Sequence, residues 1–233
     1  MSNVFTSSIG KKLIMSITGA FLVLFLLFHM SMNVVAIISP SGYDAICAFL
    51  GSNWYALIGT LVLAGGFFLH ILFALILTLY NRKARGNNGY ATSVTPKTVS
   101  WASQNMFVLG LIVVLGVLLH LLQFWYNMQF AEIMGQEPKL VGIPEVSTTS
   151  GSTFIAYYFS NIIFVVGYLV WFAALWLHIS HGFWSILQTT GFNNEIWISR
   201  LKIAAKIFAS IIFLGFAAVV ITFYLKSLCS GCC

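Results

Sequence analysis

Five apolar runs dominate this chain, near residues 13–38, 54–80, 101–127, 154–188 and 203–225. A bilayer core of ~30 Å takes about 20 residues of helix, so each run is long enough to cross. Lipid offers no partner to an exposed peptide group, and a run of this kind must close its hydrogen bonds within itself as a helix. With 60% hydrophobic and 7% charged residues and a mean hydropathy of +0.95, the chain is no ordinary soluble domain. The first run is longer than a signal-peptide core and has no Ala-x-Ala-like cleavage site, so it is kept as a span. The predicted fold is an all-α integral membrane protein: one domain, residues 1–233, forming a five-transmembrane-helix bundle.

The charges orient it. Lys11, Lys12, Arg82, Lys83, Arg85, Lys97, Arg200, Lys202 and Lys206 make nine of the eleven basic residues, and all fall on one side of such a bundle. The positive-inside rule makes that side cytoplasmic, with the N-terminus inside and the C-terminus in the periplasm. Asp44, Glu132, Glu137 and Glu145 lie opposite, with Lys139 and Lys226. The net charge of +6 is then a topology signal. It is no sign of nucleic-acid binding, because the basic residues lack any motif for it. The expected location is the bacterial inner membrane, as a multi-pass protein.

All five histidines, His29, His70, His120, His178 and His181, lie inside the apolar runs. Ionisable groups at bilayer depth are costly, and a functional role is the default reading. Spans 1–4 each contribute, no carboxylate lies within a span, and zinc or copper sites often recruit Cys, Asp or Glu as well. Haem iron with two axial imidazoles fits this ligand set. At ~1.5 Å per residue, His29 stands about 25 Å from the basic end and His120 about 28 Å, against about 18 Å for His70 and 20 Å for His178. The expected pairs are His29 with His120 and His70 with His178. One turn away lie small residues: Gly66 and Ala74 beside His70, Gly116 beside His120, Ala174 and Gly182 beside His178. They are expected to let a flat macrocycle approach. The C-terminal Cys229, Cys232 and Cys233 read as a terminus rather than a metal site. No iron–sulfur ligand set, GxGxxG or Walker loop is present, so flavin, iron–sulfur and nucleotide sites must sit on other chains.

The span count, topology and histidine placement, with the local match His178-Ile179-Ser180-His181-Gly182-Phe183-Trp184, resemble the cytochrome b membrane anchors of succinate dehydrogenases and quinol:fumarate reductases. The resemblance is to the branch with one five-helix polypeptide and two b haems, and it covers the whole chain. It implies that His178, with glycine four residues later, is the ligand and His181 is not. It also implies the pairing of first with third and second with fourth helix, as the depths do. Some members carry a glutamate two residues before the fourth-helix ligand, implicated in transmembrane proton transfer. Trp176 stands there, which leaves that role without its residue.

The resemblance further implies a complex in which a flavoprotein with FAD interconverts succinate and fumarate and an iron–sulfur subunit relays electrons on the cytoplasmic face. This anchor would exchange them with a membrane quinone, with menaquinone the expected type, and carry no dicarboxylate chemistry itself. Ser16, Lys97, Trp101 and Gln188 are candidates for the inner haem's propionates, and Tyr43, Asp44 and Asn53 for the quinone site. Arg82, Lys83, Arg85, Lys97 and the end of span 4 near Gln188 are expected to dock the iron–sulfur subunit. Pairing of complexes into dimers is left open. The alternatives are the cytochrome b subunit of a formate dehydrogenase or hydrogenase, and a haem-free transporter. The topology is directly testable: a reporter inserted at Asn88 is expected in the cytoplasm and one fused after Cys233 in the periplasm, and an external Asn88 would reverse the bundle.

Overall fold

The computed structural model describes residues 7–51, 53–85, 100–138, 140–143, 145–189, 191 and 194–230. The described residues are helical without a strand. They form α1 (Ser8–Ile38), α2 (Pro40–Phe49), α3 (Trp54–Arg85), α4 (Trp101–Gln104), α5 (Met106–His120), a π-helical segment (Leu121–Phe130), α6 (Ala131–Met134), α7 (Gly151–Phe159), α8 (Ile162–Thr189) and α9 (Glu195–Ser230). Five stretches are long and apolar enough to span a membrane: Ile9–Ile38, Trp54–Lys83, Met106–Met134, Ile162–Thr189 and Ile196–Cys229. The chain is therefore a multi-pass, all-helical membrane protein by length and composition.

Several boundaries differ from expectation for local chemical reasons. The apolar run 154–188 is not one long helix. It breaks at Ser160 and Asn161, where the Ser160 hydroxyl donates to the Tyr157 carbonyl and the Asn161 side chain accepts from the Ile163 amide at 2.9 Å. Asparagine thus caps a new helix where periodicity alone would continue the old one. At 28 residues, α8 is roughly 42 Å long, against roughly 50 Å for residues 154–188 as one helix. The segment after span 1 is a helix rather than a loop. Ser39 caps α2 by accepting from the Gly42 amide, with Pro40 in its first turn.

Span 3 widens into a π-helix immediately after His120. Asn127 Nδ2 donates there to the carbonyls of Leu122 and Gln123. Gln123 is buried and accepts a 2.7 Å bond from the buried Tyr168 hydroxyl. Side chains thus hold the wide turns, as segments of this kind require.

The core lies where α1, α8 and α9 meet. It is built from Met30, Tyr168, Phe172, Ile212, Phe216 and Val220 with their neighbours. Gly215 faces Met30 so closely that a Cβ there would overlap the thioether. α3 packs on α1 and α5 on α8, while α1 and α5 share no extended contact, nor do α3 and α8. Away from the core, α2 and α7 are tied together by Asp44, whose carboxylate accepts from the Ser152 amide at 2.7 Å and its hydroxyl at 2.8 Å. Replacing Asp44 by Ala removes two charge-assisted bonds and is expected to cost about 2 kcal/mol, seen as a lower thermal midpoint of the detergent-solubilised protein. An unchanged midpoint would show that α7 needs no such anchor.

Candidate functional site

Four helices each hold one partly buried histidine toward a helix they do not pack against. His29 on α1 meets His120 on α5 with ring centroids 5.8 Å apart and planes at 79°. His70 on α3 meets His178 on α8 at 6.3 Å and 67°. The structure thus brings together the two pairs that depth suggested. Two imidazoles facing each other across one metal, with metal–nitrogen bonds of ~2 Å, have centroids roughly 6 Å apart. Both pairs stand at that separation.

The inner pair shows how the rings are aimed. His70 Nδ1 lies 3.3 Å from Thr18 Oγ1, and that hydroxyl already reaches the Ile14 carbonyl at 2.9 Å. A hydroxyl that donates once still accepts at its lone pairs, so Thr18 can accept a hydrogen bond from His70 Nδ1–H, the tautomer whose Nε2 is unprotonated. His178 Nδ1 is buried without a hydrogen-bond partner and packs against Gly110, where a Cβ would stand 4.0 Å away. A Cβ at Gly19 would lie 3.4 Å from His70 Cε1. Each imidazole therefore rests its Nδ1 edge against a glycine-lined wall of another helix.

The outer pair is bracketed by aromatics. Phe25 stacks on His29 at 5.4 Å, Phe124 stacks on His120 at 5.1 Å, and Phe216 and Trp171 complete the surround. Asn33 Nδ2 donates to the His29 carbonyl at 2.8 Å and lies 3.5 Å from His29 Nε2, while the Tyr43 hydroxyl donates to Asn33 Oδ1 at 3.2 Å. A hydrogen-bonded line thus runs from α2 to the outer pair. The two pairs are stacked along the bundle. On α1 the wall residue Gly19 precedes His29 by ten positions, and on α5 Gly110 precedes His120 by ten, so each helix puts the pairs about 15 Å apart.

The small residues expected to admit a macrocycle mostly do other work. Trp171 lies so close to Gly116 that a Cβ would overlap its indole, and a Cβ at Gly66 would stand 3.0 Å from Phe21. They are helix-packing glycines, the common use of small residues in membranes. Gly182 is open, with only Met106 at 3.8 Å. The glycines that face imidazoles are Gly19 and Gly110, and with Thr18 they are what sequence reasoning missed. A signal existed: a glycine ten residues before the histidine in both spans 1 and 3.

The remaining candidates scatter. Ser16 is buried in α1, whereas Trp101 and Gln188 are exposed on α4 and α8, and Lys97 lies outside the described residues. Arg82 and Lys83 are exposed at the end of α3. Asp44 anchors α7, as described, and exposed Asn53 donates to the Phe49 carbonyl at 2.8 Å. Tyr43 is buried, and burial with Cys47 beside it pushes its hydroxyl pKa up. Among the described residues, no three His, Cys, Asp or Glu side chains gather as a bare metal-ion site. Comparisons with protein-family models, with curated proteins and with solved structures find no match.

Burial also pushes the Cys47 thiol up to about 11, and with it the pH at which the thiolate forms. Alkylation by iodoacetamide at about pH 8 is therefore expected to be slower at Cys47 than at an ordinary thiol by on the order of a hundredfold. Cys229, which is exposed, is expected to label first, with Cys47 catching up as the pH is raised. Peptide mass spectrometry reads both, and equal rates would show that Cys47 is not sealed by α7.

Proposed function

We propose that this chain is the dihaem cytochrome b membrane anchor of a succinate:quinone oxidoreductase, acting as a fumarate reductase or succinate dehydrogenase subunit. It would pass electrons between a partner iron–sulfur subunit and membrane quinone. The observation that carries the reading is the pair of facing imidazoles at each of two levels, 5.8 and 6.3 Å apart. Two protein ligands per site suit a metal whose other positions are filled by a macrocycle, and haem iron with two histidines is the electron-transfer form of that arrangement. His29 and His120 would hold the outer group, and His70 and His178 the inner one.

Bound haem would supply a one-electron couple, and the chain's own residues do the rest. Thr18, accepting from His70 Nδ1–H, would leave Nε2 free as the ligand nitrogen, a role that an outer hydrogen bond commonly plays for metal-bound histidine. Gly19 and Gly110 let two imidazole edges settle against neighbouring helices. Phe25, Phe124, Phe216 and Trp171 exclude water from the outer pair and keep its surroundings apolar, which tunes potential. The sequence has no Asp or Glu within residues 13–38, 54–80, 101–127 and 154–188, so no acidic side chain accompanies the four histidines in those runs. The flavin and iron–sulfur chemistry belongs to partner subunits, which would dock on the basic face that includes Arg82 and Lys83.

Purified protein is expected to show two reducible low-spin b haems per chain. Replacing His29, His70, His120 or His178 by Ala is expected to remove one haem or abolish assembly, whereas His181→Ala keeps both, read by optical redox titration. A spectrum without haem would eliminate the reading. A His181→Ala protein with one haem beside a His178→Ala protein with two would overturn the ligand assignment. Co-purification of a flavoprotein and an iron–sulfur protein tests the succinate:quinone part separately.

A further inference from the structure

The seam between α8 and α9 carries two features that the histidine pairs do not use. The first is an apolar groove of 330 Å³ lined by Ala173, Trp176, Ser210, Phe213 and Leu214. Its two polar side chains satisfy each other, Trp176 Nε1 donating to Ser210 Oγ at 3.0 Å, so the groove offers an entrant apolar walls. The second is a cationic cluster at the basic end. Lys202 Nζ lies over the Trp184 ring, 4.8 Å from its centroid, and His181 meets the same indole edge-on at 5.3 Å. His181 Nδ1 is buried without a partner. An N–H there would be unsatisfied, so the neutral ring carries its proton on Nε2, as a donor.

The two features belong to one track. Ala173, Trp176, Ser180 and Trp184 recur at three- and four-residue intervals on α8, and Leu214, Ser210, Lys206 and Lys202 at four-residue intervals on α9, so each set shares a helix face. Trp176 meets Ser210 and Trp184 meets Lys202, eight residues further along both helices. Each helix therefore gives about 12 Å between groove and cations. One leaflet of the hydrocarbon core is about 15 Å thick. An apolar slot of that reach, ending in two lysines at the membrane edge, is complementary to an amphiphile with a negative head.

We propose that this seam binds one anionic phospholipid from the leaflet on the basic side. Its phosphate is held by Lys202 and Lys206 with the His181 Nε2 proton, Trp184 stands at the headgroup level, and one acyl chain lies in the groove beneath. Basic pockets between membrane helices recognise anionic lipids in this way. The site does not depend on the haem reading, because none of the four paired histidines contributes to it.

Native mass spectrometry of the detergent-solubilised chain tests it, with phosphatidylglycerol and phosphatidylcholine of identical acyl chains as probes. The wild-type protein is expected to retain phosphatidylglycerol preferentially. The double variant Lys202→Gln/Lys206→Gln should lose that preference by on the order of 20-fold, from the usual contribution of each basic residue near an anionic headgroup. Lys11→Gln/Lys12→Gln, which removes the same charge from the same end of the bundle on α1, should keep it. Ala173→Trp, which fills the groove without changing charge, should weaken retention of both lipids. Equal retention of the two lipids by the wild type would overturn the proposal. So would an equal loss in the Lys11/Lys12 variant, or undiminished retention in Ala173→Trp.

Discussion

Four imidazoles meet in two pairs between helices that share no extended packing contact. α1 and α5 share no extended packing contact, nor do α3 and α8, yet His29 meets His120 and His70 meets His178. In lipid there is no hydrophobic drive to push helices together, and close backbone approach depends on small side chains and good packing. The bundle puts that packing at α8 against α9 and at α1 against both. The histidine-bearing α3 and α5 then make their main packing contacts with one long helix each, α3 with α1 and α5 with α8. Such an arrangement sets two imidazole pairs between helices that do not pack on each other, beside a core that is closely packed.

The polar groups around the histidine pairs are placed economically. Thr18 uses one hydroxyl to return a bond to its own helix and to meet His70. Asn33 uses its amide on the His29 carbonyl and its oxygen on Tyr43. Gln129 accepts from Thr60 and Trp125 and donates to the Gly51 carbonyl, which clamps α3 to the far end of span 3. Buried polar groups are tolerated at membrane depth when they are paired in this manner. The π-helical turns after His120 belong to the same logic. Widening the helix there admits Gln123 to the interior, where Tyr168 receives it and in turn packs edge-on toward His120.

Much of the architecture was legible from residue types alone. Apolar length set five spans because an unpaired peptide group cannot be left in lipid. Histidine depth ordered four imidazoles into two levels because helical rise is constant. Short polar side chains overrule apolar continuity at two places. Ser160 and Asn161 interrupt what hydropathy reads as one run, and Ser39 with Pro40 starts a helix in what composition reads as a loop. The small residues differ from expectation too. Gly66 and Gly116 lie one turn from a histidine on the same helix, but each turns to Phe21 or Trp171 on another element.

What the sequence by itself determined is the set of elements and the levels at which chemistry is held: five membrane-length helices, a basic end, and one or two histidines in each of the first four. Tertiary structure decided which of those histidines meet and what stands against their rings. The Thr18 hydroxyl stands at His70 Nδ1, and Gly19 and Gly110 stand against His70 and His178, all contributed by other helices. Helical periodicity reports the face on which a residue lies, and it carries no information about what stands opposite that face. Only the packing of the helices supplies that: Thr18 meets His70 from 52 residues away in the chain, and Gly110 meets His178 from another helix.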